Sequence, residues 1–155
     1  PRNEFDSHGK NLMKKLLVPI CLCLSQLAFA ADRPEVARYV KAYSGEEGAK
    51  VFVTRIGPAE KSEVLIQVTG LDTPIDNLIR KGRVEPKDEG RRRYSVQLKD
   101  KEVTILDLNH GTGTLFLPRQ PDTLGEIHVS YDESLSRSCN PERMLSEYLE
   151  QEAAK

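Results

Sequence analysis

The run from Asp107 to Thr114 contains the residue types in this chain that most suggest a catalytic or ligand-binding site. They combine a carboxylate, the imidazole of His110 and two glycines directly after a predicted strand. A histidine in such a place can act as a general base or a metal ligand, and a glycine-rich loop can turn backbone N–H groups toward an anion. The same run is also typical of a turn between strands, because Asn and Gly tolerate positive φ angles. The spacing fits neither the dinucleotide-binding nor the phosphate-loop pattern, so we expect a turn.

Cys139 is a second candidate reactive residue. It is the one cysteine after the N-terminal apolar segment, so it has no cysteine there with which to form an intramolecular disulfide. An envelope hydrolase or transferase that uses His110 with Cys139 or with Asp107 is therefore one hypothesis. A metal site would need His110 and His128 with nearby acids, but the short-range spacing of metal ligands is missing. We therefore predict no catalytic residue, metal or cofactor, and expect Cys139 to be buried or simply unpaired.

A basic cluster precedes this run. It is interrupted by acidic residues and lies around a polar stretch, Gly82–Gly90, that we predict to be a loop. Long polar loops on a rigid sheet often carry binding, and arginine suits carboxylate pairing. The predicted protein-binding residues are Arg80, Lys81, Arg83, Arg91, Arg92, Arg93, Asn109 and His110.

The spacing of apolar residues predicts the helices and strands that position these side chains. Val36, Tyr39, Val40 and Tyr43 recur at helical spacing after Pro34, which predicts an N-terminal helix. Alternating apolar residues predict hairpins over 50–69 and 94–106 and further strands over 112–117 and 127–131. Asn140 followed by Pro141 predicts the start of a C-terminal helix. We therefore expect an α+β domain, an antiparallel sheet of about six hairpin-connected strands with a helix at each end.

The N-terminal region has the pattern of a secretory signal peptide over residues 13–30. Lys14 and Lys15 precede a short apolar run that ends at Ala28-Phe29-Ala30, a small-x-small cleavage site. That run is too short to span a bilayer. Residues 1–12 are expected to be a cloning scar or an upstream extension, and residues 31–155 a single exported domain located in the periplasm without stable membrane insertion.

Charge and composition limit the classes of partner. The whole chain has a formal net charge of −1, removal of the leader makes it more acidic, and the sequence has no Trp. A general nucleic-acid binder would carry a clear basic excess. The favoured hypothesis is a non-enzymatic domain that binds another protein, such as an inhibitor or immunity protein against a secreted hydrolase or toxin, or an accessory envelope subunit. A small-ligand-binding protein, with the sheet as one wall of a pocket, is the remaining alternative.

Overall fold

Eight antiparallel strands form a closed barrel in which each strand pairs with its neighbours in sequence and the last strand pairs with the first. The computed structural model describes residues 33–155 except 74 and 120–122, so the predicted leader and the stretch before it lie outside the described residues. Closure gives each of the eight strands a paired neighbour on both sides. The strands are β1 (Lys41–Gly45), β2 (Lys50–Arg55), β3 (Glu63–Thr69), β4 (Ile79–Pro86), β5 (Arg91–Leu98), β6 (Lys101–Asn109), β7 (Thr112–Arg119) and β8 (Thr123–Tyr131).

Apolar side chains fill the barrel. Strand side chains alternate between the two faces of a sheet, and in a barrel of eight strands the inward set is just large enough to fill the interior. In β3, for example, Val64, Ile66 and Val68 belong to the interior cluster, whereas Leu65 belongs to a second cluster. The register of β5 against β6 shifts at Tyr94/Ser95, where Ile105 has no directly paired residue and is itself buried.

The second cluster lies between the outer face of the barrel and the C-terminal helices. A short helix α1 (Glu133–Ser138) follows β8, and α2 (Pro141–Ala153) follows α1. Met144 and Leu145 of α2 are buried in a cluster that includes Leu65 of β3 and Ile79 of β4. Within the described part of the chain, no helix is long and apolar enough to cross a membrane.

The predicted α+β fold with about six strands and a helix at each end is wrong. The chain forms a closed eight-stranded barrel, and both α-helices of the described residues lie at the C-terminal end. The predicted N-terminal helix is replaced by an extended segment and by β1, and Tyr39, which the helical pattern placed on the buried face, is 68% exposed. The reason is tertiary: β1 fills the space between β2 and β8, and its pairing with both strands outweighs the local helical pattern.

The predicted loop over residues 82–90 is also wrong. β4 continues to Pro86 and β5 begins at Arg91, with one tight turn between them. Polar residues predominate here because most outward-facing side chains of this hairpin meet solvent. The predicted hairpins are present as β2–β3 and β5–β6. The C-terminal helix also begins as predicted, with the Asn140 side chain accepting hydrogen bonds from the backbone N–H groups of Glu142 and Arg143.

Replacement of Leu145 by Ala tests whether the C-terminal helix and the barrel unfold together. Leu145 is fully buried in the cluster between α2 and the barrel, so the cavity should lower the free energy of unfolding by about 2–4 kcal/mol. Urea titration followed by far- and near-UV circular dichroism measures this loss. The exposed Glu150→Ala variant should change stability by less than about 0.5 kcal/mol. Separate transitions for helix and barrel would contradict a single cooperative unit.

Candidate binding site at the mouth of the barrel

The sequence-predicted site residues lie on three neighbouring strands and one turn. Arg80, Lys81 and Arg83 lie on β4, the three consecutive arginines lie at the start of β5, Asn109 ends β6, and His110 occupies the β6–β7 turn. Pairing places Arg91 opposite Asn109 and Arg92 opposite Leu108. The two segments that the sequence identifies separately therefore meet at one end of the barrel. This end, where β1 starts and β8 ends, is called the mouth here.

The basic residues do not form one patch. Arg92 shares the inward face of β5 with Tyr94 and Val96, which belong to the interior cluster, whereas Arg91 and Arg93 lie on the outward face. The alternation also separates residues of β4, since Lys81 and Arg83 lie on the face opposite to that of Arg80. A strand of period two cannot present three consecutive arginines to one partner.

Outward-facing cations are largely neutralised by carboxylates of adjacent strands. The guanidinium of Arg91 donates from Nε to Oδ1 and from Nη2 to Oδ2 of Asp107, each at 2.7 Å, and Arg93 approaches the same carboxylate at 3.4 Å. Asp107 is only 10% exposed, and the hydrogen bond from Arg91 holds the pKa of its carboxyl below the usual range, with the charges of both arginines adding to the effect. Lys81 pairs in the same way with Glu63 at 2.8 Å. Arg91, Arg93 and Lys81 therefore each have a carboxylate on an adjacent strand.

The mouth itself contains an open cleft of about 370 Å³, called the mouth cleft here. It is formed by the first residues of β1 and β5, the last residues of β6 and β8, the β4–β5 turn and the β6–β7 turn. Its lining residues are Lys41, Tyr43, Gly90, Arg92, Leu108, His110, Gly111 and Tyr131.

Two tight turns shape one side of the mouth cleft. Glu89-Gly90 and His110-Gly111 each have two consecutive residues with positive φ, and in the two-residue β6–β7 connection this is the signature of a type I′ hairpin turn. The turns touch, because a Cβ built on Gly90 would lie 2.8 Å from Cε1 of His110. A larger residue at position 90 would separate the turns. The run around His110 is thus a turn, and it also supplies a wall of the mouth cleft.

Tyrosines line the part of the mouth cleft next to the β6–β7 turn, where the backbone N–H of Tyr131 donates to the carbonyl oxygen of Gly111 at 2.7 Å. Tyr43 and Tyr131 are paired across β1 and β8, and their rings meet edge to face with centroids 5.9 Å apart. Burial raises the pKa of Tyr43, and of Tyr94 below the mouth, so both phenols stay protonated and can donate hydrogen bonds at neutral pH. Tyr131 remains 49% exposed. The mouth cleft therefore has an aromatic wall that is partly open to solvent.

Lys41 and Arg92 give the mouth cleft its charge. Within the described part of the chain, neither side chain has a carboxylate within ion-pair distance, unlike Arg91 and Lys81. Burial and the positive charge of Arg92 lower the pKa of Lys41. Like charges repel, and a lowered lysine pKa is the expected response when no anion lies nearby. The mouth cleft thus holds two solvent-exposed cations, and neither has a counter-ion among the described residues.

Lys41, Tyr43 and Tyr131 were not among the sequence-predicted site residues. The helical spacing of apolar residues over 34–43 predicted a helix in the segment where Lys41 and Tyr43 lie on strand β1. The pairing of β1 with β8 joins residues almost ninety positions apart, and no local pattern indicates it. The residues from Lys41 to Ser44 do not alternate clearly between polar and apolar types, because Ala42 and Tyr43 are adjacent and both buried, so no local pattern indicated this strand.

His110 and Cys139 do not share a cleft. His110 lines the mouth cleft, whereas Cys139 is half-buried between α1 and α2 and packs against the helix–barrel cluster. Among the residues that the structure describes, no three His, Cys, Asp or Glu side chains are grouped to hold a metal ion. The described geometry therefore gives the proposed cysteine–histidine pair no common site.

Replacement of Asp107 by Asn tests the neutralisation of the outer face. The variant loses a charge-assisted pair with half-exposed Arg91, so we expect a loss of stability of about 1 kcal/mol at pH 7. Because the folded-state pKa of Asp107 is lowered, the difference from wild type should be complete well above the ordinary Asp pKa of about 3.9. It should disappear as the pH falls through the lowered folded-state pKa. Urea titrations between pH 7 and pH 2.5 measure it, and a difference that persists at the lowest pH would contradict the assignment.

No protein-family model, curated protein or solved structure matches this chain. The evidence on function is therefore the arrangement of the side chains. Among the described clefts, the mouth cleft combines the unpaired cations with exposed aromatic surface.

Proposed function

We propose that this chain is a non-catalytic protein-binding domain, exported to the periplasm, that docks an acidic surface of a partner protein against the mouth of the barrel. The observation that carries the proposal is the meeting of Lys41 and Arg92 in one cleft without a carboxylate partner among the described residues. Two cations held together favour an opposite charge from outside the chain.

The residue types at the mouth also support a protein partner. Tyrosine and arginine are enriched among the residues that dominate binding energy at protein interfaces, and here Tyr131 and Arg92 line one cleft. Tyr131 is held by its ring contact with Tyr43 and by strand pairing, so it loses little conformational freedom on binding. A surface built on closed strands and short turns is expected to change little in shape when its partner binds.

The role that we favour within this class is that of an inhibitor or immunity protein against a secreted hydrolase or toxin. Such a role needs tight occupation of a partner surface and no chemistry. An acidic target is expected because a basic mouth would steer association with it and would repel basic surfaces.

The experiment compares charge reversals at the two ends of the barrel. The purified wild-type chain, a Lys41→Glu/Arg92→Glu variant and a Lys99→Glu/Lys101→Glu variant are immobilised and exposed to lysate of the source cell. Lys99 and Lys101 are exposed and lie at the β5–β6 turn, at the end of the barrel opposite the mouth, so the control matches the change in charge. Bound proteins are identified by mass spectrometry, and their affinities are then measured with purified components.

We expect wild type and control to retain the same acidic protein and the mouth variant to bind it at least about tenfold more weakly. Added salt should weaken the wild-type complex, since its charges are partly exposed. Thermal melts confirm that all three chains are folded. The proposal fails if no protein is retained by the wild-type chain, or if the mouth variant and the control bind the partner equally.

A further inference from the structure

We propose that the mouth cleft is a binding site for an acidic peptide segment, in which Arg92 and Lys41 together hold a carboxylate group and the exposed ring of Tyr131 contacts the stem that carries it. The source of the segment, an exposed stretch of the partner, rests on the proposed function. The carboxylate chemistry rests on the mouth cleft alone.

Arg92 and Lys41 are placed where both can bind one anion. Both side chains belong to the inward face of their strands, at the ends that open to solvent, and both line the same cleft. A guanidinium binds the two oxygens of a carboxylate through parallel N–H donors, and an ammonium adds a point charge without strict geometry. One bound carboxylate would relieve the repulsion between the two cations.

A contrast between the two faces of β5 shows which charges are free to bind. Arg91, one residue before Arg92, has a bidentate carboxylate from Asp107 of the neighbouring strand. On the inward face, the residue paired with Arg92 is Leu108, which has no charge. The chain thus supplies a carboxylate to the outward arginine, whereas the inward arginine has only a neutral hydrogen-bond partner, the Tyr94 phenol, among these neighbours.

The size and the walls of the mouth cleft favour a peptide over an inorganic anion. A cleft of about 370 Å³ lies within the range of pockets that hold organic ligands and is much larger than one anion requires. The half-exposed ring of Tyr131 adds apolar surface that phosphate or sulfate would leave unused, and buried Leu108 and Tyr43 lie behind it. A carboxylate on a short apolar stem, as in a glutamate side chain, matches both the cations and the apolar wall.

The site is tested without the partner by NMR titration of the ¹⁵N-labelled full chain. The probes are acetyl-tetraglutamate amide, acetyl-tetraglutamine amide, citrate and inorganic phosphate. Wild type is compared with Lys41→Gln/Arg92→Gln and with the matched control Lys99→Gln/Lys101→Gln. An Arg92→Lys variant keeps the charge and removes the planar fork.

Tetraglutamate should shift the amide signals of Gly90, Arg92, Gly111 and Tyr131 and leave those near Lys99 unchanged. Tetraglutamine should bind at least about tenfold more weakly, and the mouth variant should lose about as much affinity, because each change removes the charge-assisted hydrogen bonds to the carboxylate. The control should match wild type, and Arg92→Lys should bind with intermediate affinity.

Three results would overturn the proposal: equal binding of tetraglutamate and tetraglutamine, unchanged affinity in the mouth variant, or shifts centred on Arg91 and Arg93 of the outer face. Binding of citrate or phosphate at the mouth without binding of tetraglutamate would also overturn it, and would assign the site to a free small acid or an inorganic anion.

The peptide and lysate experiments fail independently. If tetraglutamate binds the mouth but the wild-type chain retains no protein, the proposed function is wrong and the carboxylate-binding site in the mouth cleft is still supported. If the Lys41→Gln/Arg92→Gln variant still retains the partner with wild-type affinity, the site is wrong and the protein-binding function remains.

Discussion

The pairing of β1 with β8 is the interaction on which the rest of this structure depends. It joins Tyr43 to Tyr131 and Gly45 to Val129 and closes the sheet into a barrel. Closure divides the side chains of every strand into an inward and an outward set, because they alternate across the sheet. The seam is reinforced where the Ser44 hydroxyl donates to Asp132, the residue that caps α1, at 2.6 Å.

Closure also creates two separate hydrophobic cores. The inward side chains of the eight strands fill the barrel, and outward Leu65 packs in a second cluster with Met144 and Leu145 of α2. Gly113 on β7 illustrates how tightly the strands approach, because a Cβ there would lie 2.0 Å from the carbonyl oxygen of Asp107. The rigid wall produced by this packing fixes the strand ends that form the mouth.

The distribution of charge follows from the same division. Arg91 and Arg93 face outward toward Asp107, whereas Arg92 faces the mouth cleft with Lys41. A sequence in which acids and bases nearly balance can therefore still present a local excess of positive charge. Whether a cation has a carboxylate partner depends on the strand face on which it lies. The total composition of the chain does not indicate this face.

The sequence by itself determined the local features: the β2–β3 and β5–β6 hairpins, the turn at His110 and Gly111, and the Asn140 cap of the C-terminal helix. These depend on residues close together in the chain, through side-chain alternation, positive φ and capping. The closed barrel, the strand at Lys41–Gly45 and the separation of Arg92 from its two neighbours were decided only by tertiary structure. The barrel and its first strand depend on the β1–β8 contact, which pairs residues almost ninety positions apart, and the helical spacing of the N-terminal apolar residues pointed elsewhere. Arg92 is separated from its neighbours because β5 begins at Arg91, within a stretch whose polar residues predicted a loop.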